Sequence, residues 1–74
     1  MFEKIIKIIS EYQGFDKIAI TPETYLVADL GLNSYDVITL VTRFEDEFHV
    51  EIPDRDIKRL QTVDDISKYL AELV

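Results

Sequence analysis

Three stretches of this chain place apolar residues three and four positions apart, and that spacing commits most of the sequence to helices packed on one another. Phe2, Ile5, Ile6, Ile9 and Tyr12 form the first stripe; Val37, Leu40, Val41, Phe44 and Phe48 form the second; Val63, Ile66, Leu70 and Leu73 form the third. Residues at such intervals share one face of a helix, whereas a half-buried strand would alternate every second residue. No segment alternates convincingly, so the pattern predicts an all-α bundle of three longer helices and one short one.

Local signals set the boundaries. The first helix is expected over residues 2 to 13, with Ile8 widening its stripe and Gly14 ending it. The second begins at Asn33 or Ser34, either of which can cap it, and Asp36 in its first turn complements the helix dipole. Ile52-Pro53 forces an extended link, after which Asp54 is expected to cap a short helix reaching Leu60. Thr62-Val63-Asp64-Asp65 resembles a capping box and starts the last helix.

Between Phe15 and Asn33 the periodicity breaks, leaving a long connection with a turn at Thr21-Pro22-Glu23. Long ordered loops in small domains tend to be functional when something pins them. Tyr25, Leu26, Val27 and Leu30 are the expected anchors into the core.

The 74 residues contain no cysteine and one histidine, so folding must come from apolar packing rather than disulfides or a structural zinc. A hydrophobic fraction of 47% is enough for one domain, 1–74, and argues against disorder. The absence of cysteine is compatible with a reducing compartment. No run approaches the roughly 20 apolar residues needed to span a bilayer, and Glu3 and Lys7 interrupt the N-terminal apolar run, unlike the core of a secretion signal. Membrane insertion is therefore not expected.

Fifteen acids against eight bases give a net charge of −7, which disfavours nucleic acid as a partner. The charge is unevenly placed: from Asp29 to Asp56 there are eight acids and two bases, while the rest of the chain is nearly balanced. Such a surface can steer basic partners. Tyr35 and Ile38 stand beside it, on a part of the second helix where a purely solvated face would carry charge.

Catalytic chemistry is missing. Ser34 is the obvious nucleophile, but Gly31-Leu32-Asn33-Ser34-Tyr35 lacks a G-x-S-x-G elbow, and His49 lies about four helical turns away. His49 reads as a solvated residue at a helix end. There is no calcium loop, P-loop, dinucleotide fingerprint or zinc spacing. Taken alone, these features describe a small acidic helical interaction module that is not an enzyme.

Asp29-Leu30-Gly31-Leu32-Asn33-Ser34-Tyr35-Asp36, followed by Glu45-Asp46-Glu47-Phe48 and Glu51-Ile52-Pro53, resembles the acyl carrier proteins. The resemblance runs over nearly the whole chain, from the first helix to the Thr-Val start of the last. It implies an acyl-carrier-like four-helix bundle with a long loop between helices one and two. It also implies that Ser34 receives 4′-phosphopantetheine from coenzyme A through a phosphopantetheinyl transferase. The reactive thiol would then come from the arm, which reconciles thioester chemistry with the absence of cysteine.

The position suits that modification, since the positive end of a helix favours a phosphodiester anion and Gly31 lets the chain turn before it. From the placement of the charge, Asp36, Glu45, Asp46 and Glu47 would steer basic patches on acyl-transfer and synthase enzymes, and Tyr35 and Ile38 would supply apolar contact. By the resemblance, Val37, Phe44, Ile52, Ile57 and Tyr25 would be candidates to shelter an acyl chain. The expected protein is a free-standing cytoplasmic monomer that presents acyl thioesters to fatty-acid or related biosynthetic enzymes. A specialised aminoacyl, peptidyl or polyketide carrier, and an unmodified acidic adaptor, stand as alternatives. The family usually reads Asp-Ser-Leu where this chain reads Asn33-Ser34-Tyr35.

Overall fold

The computed structural model describes residues 1–14 and 20–73, so part of the long connection, from 15 to 19, lies outside the described residues. Four helices follow in order: α1 (Phe2–Gln13), α2 (Ser34–Phe48), α3 (Asp54–Ile57) and α4 (Val63–Leu73). No strand occurs among the described residues; one isolated antiparallel bridge joins Tyr25 to Thr62.

Each of the three longer helices forms where its stripe predicted it. α1 stops because Gly14 adopts a left-handed φ of 77°, and its amide returns to the Ser10 carbonyl at 2.6 Å. Its stripe packs against both α2 and α4. The centre of the resulting core is Ile5, Ile9, Leu40, Phe44, Val63, Ile66 and Leu70, all essentially inaccessible to water. Burying a side chain such as Phe44 stabilises the fold by about 1.5–3 kcal/mol relative to leaving it exposed. The stripe of α4 differs from expectation at its ends: Leu73 is 43% exposed and Tyr69 is buried in its place. Tyr69 can occupy that position because its hydroxyl finds a partner, donating to Asp56 Oδ2.

The described part of the connection before α2, from Ile20 on, is held by backbone hydrogen bonds rather than by a helix or strand of its own. The Leu26 amide donates to the Gln61 carbonyl at 2.9 Å, and the Val63 and Asp64 amides donate to the carbonyls of Thr24 and Pro22. These bonds tie the loop to the start of α4 and satisfy groups that burial would otherwise penalise. The turn at Thr21-Pro22-Glu23 is present, closed by Thr24 N to Thr21 O at 3.1 Å and by Thr21 N to Thr24 Oγ1 at 2.9 Å.

Leu26 and Leu30 anchor the loop as expected, together with Ile20 and Leu32, but Tyr25 and Val27 do not: they are 49% and 61% exposed. The Tyr25 backbone is occupied by the bridge and by its amide bond to Asp29 Oδ2, and its neighbour Leu26 takes the inward position.

The short helix also departs from the expectation. Pro53, not Asp54, is its N-cap, no side chain caps it, and it ends at Ile57. Toward Leu60 the chain continues through tighter i to i+3 bonds, Arg59 N to Asp56 O and Leu60 N to Ile57 O, both 3.0 Å.

Candidate functional site

α2 begins at Ser34 because Asn33 stops the extended chain and caps it. Asn33 Oδ1 accepts from the Asp36 amide at 2.8 Å while Asp36 Oδ2 accepts from the Asn33 amide at 3.2 Å, a reciprocal capping box. Just before it, Gly31 takes a φ of 71°, a conformation that would strain any residue with a Cβ. Ser34 is thereby the first helical residue and is exposed to solvent.

Ser34 lines a groove of about 820 Å³. Val37 and Ile38 of α2 form one wall with Ser34, Ile57, Lys58 and Leu60 a second, and Tyr25, Leu26, Val27 and Ala28 of the loop a third, while Asp54 and Gln61 complete the rim. The exposure of Tyr25 and Val27 therefore has a structural use: they line this groove instead of filling the core. Of the residues expected to shelter an acyl chain, Val37, Ile57 and Tyr25 are in its walls. Phe44 and Ile52 are not; both are buried, Phe44 at the centre of the core.

The other expected site residues divide into two groups. Near Ser34, Tyr35 is 76% exposed and Ile38, which also lines the groove, 53%. The Thr39 and Thr42 hydroxyls beside them donate to the carbonyls of Tyr35 and Ile38, four residues back on the same helix. Asp36 is half-buried and engaged twice, by the capping box and by the Tyr12 hydroxyl, which donates to its Oδ1 at 2.7 Å.

Three turns on, Glu45 is also half-buried, its Oε2 accepting from the Ile52 amide at 2.7 Å. Glu47 lies 3.8 Å from Lys4 Nζ, an exposed pair of little energetic weight. Asp46 is exposed and forms no salt bridge among the described residues. These acids stand about 17–20 Å along the helix from Ser34, at roughly 1.5 Å per residue, so they belong to an extended face and not to the groove. His49 is an exposed C-cap in a left-handed conformation, φ 56°, as a helix-end residue should be. No cluster suited to a metal ion occurs among the described residues, and no helix among them is long and apolar enough to cross a membrane.

Two polar pairs escaped the sequence reading. Tyr12 of α1 bonds to Asp36, and Tyr69 of α4 bonds to Asp56 of α3. In each case the hydrogen bond to the carboxylate, reinforced by desolvation and the nearby negative charge, raises the phenol above its ordinary value of 10.0. An arginine lies over each ring, Arg43 at 5.3 Å and Arg59 at 5.6 Å from the ring centres. The only sequence signal was a tyrosine where a fully apolar residue would have served, which implies a partner for its hydroxyl without naming it.

The fold is a small helical bundle that presents an exposed serine at a helix start, beside a largely apolar groove. The phosphopantetheine attachment site family matches residues 3–70. An acyl carrier protein of Syntrophobacter fumaroxidans (strain DSM 10017 / MPOB) is 51% identical over 69 residues, covering 93% of this chain and 85% of the relative. The chain belongs to the acyl carrier proteins of the phosphopantetheine attachment family, and its role is to carry acyl groups on covalent 4′-phosphopantetheine. Carriers of this kind serve synthase and transferase enzymes rather than acting as catalysts themselves.

Proposed function

We propose that Ser34 is the attachment point of the arm and that residues 1–74 work as one carrier domain, monomeric and cytoplasmic, in fatty-acid biosynthesis. The observation that carries this reading is the placement of an exposed serine at the first position of α2, in the lining of a groove whose walls are mainly apolar. The residues present fit the group: the helix start favours the phosphodiester charge, and the groove has room for the arm and the start of its cargo. When bound, the arm supplies a thiol that holds acyl groups as thioesters.

In the loading step, Ser34 Oγ attacks the coenzyme A phosphorus that bears the pantetheine. The new O–P bond forms as the pyrophosphate bond breaks and adenosine 3′,5′-bisphosphate leaves. The hydroxyl proton passes to a base on the phosphopantetheinyl transferase. This chain offers no imidazole for that task, because His49 lies at the far end of α2, roughly 22 Å away at 1.5 Å per residue.

The partner face is read as α2 itself. Tyr35 and Ile38 give an exposed apolar centre, and Asp36, Glu45, Asp46 and Glu47 give the negative field that steers basic patches on acyl-transfer and synthase enzymes. Because Asp36 and Glu45 also hold the protein's own backbone and side chains, Asp46 is the acid best placed to pair with a partner's base. Intact-mass measurement after incubation with coenzyme A and a transferase tests the reading. One phosphopantetheinyl group is expected on the wild type and none on Ser34→Ala. An unmodified wild type with several transferases would favour an acidic adaptor.

A further inference from the structure

The Tyr12 ring bridges α1 to two separate turns of α2. Its hydroxyl donates to Asp36 Oδ1 at 2.7 Å, and its face lies 5.3 Å from the Arg43 guanidinium carbon, seven residues further along the helix. The other oxygen of the same carboxylate accepts from the Asn33 amide, and the Asp36 amide returns to the Asn33 side chain. One phenol on α1 is thus connected through one carboxylate to both ends of the four-residue segment that contains Ser34.

We propose that Tyr12 is a positioning residue for the loading of Ser34: its hydroxyl fixes Asp36, Asp36 fixes Asn33, and the two residues together set the direction in which the Ser34 hydroxyl leaves the helix start. The inference rests on Ser34 being the attachment point. Positioning matters here because displacement at phosphorus needs the nucleophile in line with the leaving oxygen, and modest misplacement of a reacting group has large kinetic consequences. A capping box by itself fixes the helix start relative to the loop. The bond from Tyr12 adds a reference to α1, whose Ile5 and Ile9 are locked in the core. The donor also persists in ordinary conditions, since its bond to the carboxylate keeps the phenol protonated to higher pH than usual.

Tyr69 provides an internal control. It forms the same kind of bond, to Asp56, under an arginine, but joins α4 to α3 and makes no link to the start of α2. Tyr12→Phe and Tyr69→Phe each remove one hydroxyl and keep the ring. Steady-state loading with coenzyme A and a transferase, run well below both unfolding temperatures, is expected to show kcat/KM reduced by about fivefold in Tyr12→Phe, the weight of one hydrogen bond, with most of the loss in kcat. Tyr69→Phe is expected to load at the wild-type rate. In an Asp36→Ala background the Tyr12→Phe effect should vanish, because the hydroxyl acts through that carboxylate.

Hydrogen exchange supplies a readout independent of loading: the amides of Asp36 and Val37 should exchange faster in Tyr12→Phe while those of α4 do not change. Wild-type kinetics in Tyr12→Phe, equal losses in both tyrosine variants, or an undiminished effect without Asp36 would overturn the proposal. Absence of loading on the wild-type chain would instead overturn the Ser34 reading, and the exchange measurement would still decide whether Tyr12 holds the helix start.

Discussion

The Ile52 amide donates to Oε2 of Glu45 at 2.7 Å, spanning seven residues and closing the turn that His49 begins in its left-handed conformation. An acid that composition assigns to the docking face is thus also a structural tie between α2 and the link to α3. Glu45→Ala should lower the unfolding free energy by about 2 kcal/mol, the range for a hydrogen bond to a charged group, whereas Asp46→Ala should stay within about 0.5 kcal/mol of wild type. Urea unfolding of the two variants separates the roles, and equal stabilities would remove the tie from the account.

The same distinction should appear in partner kinetics. Asp46→Lys is expected to slow association with a basic acyl-transfer enzyme chiefly at low ionic strength, with the difference fading as salt shortens the screening length to about 8–10 Å. Stopped-flow association across a salt series reads this directly. A loss that does not respond to salt would argue for a direct contact rather than steering.

Alkaline pH should weaken the fold through Tyr12 and Tyr69. Both phenols are raised above 10.0 by their carboxylate bonds, so the folded chain holds these protons more tightly than the unfolded chain does. The stability they contribute is fully present below the unfolded phenol value, about 10, and is lost as the pH climbs through the higher folded values. Phenolate absorbance should show two late-titrating tyrosines, one disappearing in Tyr12→Phe and the other in Tyr69→Phe. Unfolding free energy that rises with pH above 10 would contradict this assignment.

Asn33 can be tested as a cap apart from its place in the family motif. Asn33→Ala should cost about 1 kcal/mol, while Asn33→Asp should be nearly neutral because either side chain accepts from the Asp36 amide. Thermal unfolding compares them, and a strongly destabilised Asp variant would show that the adjacent Asp36 carboxylate tolerates no second charge.

Much of the fold could be read from spacing. Phe2–Gln13, its stop at Gly14, and the capping box at Thr62 and Asp65 follow from patterns contained within a few residues, and local hydrogen bonds enforce them. What could not be read depends on distant partners. Tyr25 and Val27 look like anchors by composition, but only the pairing of the loop with Thr62 and Gln61 shows that Leu26 takes the inward position and leaves its neighbours facing the groove. Tyr69 lies one position off the α4 stripe, and its burial depends on Asp56, thirteen residues earlier. Ser34 was conspicuous from its motif, whereas the tie from Tyr12, across twenty-four residues, has no sequence signature beyond the tyrosine itself, which does not name its partner.

The central claim is the identity of the loaded hydroxyl. Protease digestion of the modified chain, followed by fragmentation mass spectrometry of the peptide containing Ser34, locates the phosphodiester to a residue. The account predicts it on Ser34 alone, with Tyr35, Thr39 and Thr42 unmodified. A group on any other side chain, or none in a chain that still exchanges acyl groups with its partners, would contradict it.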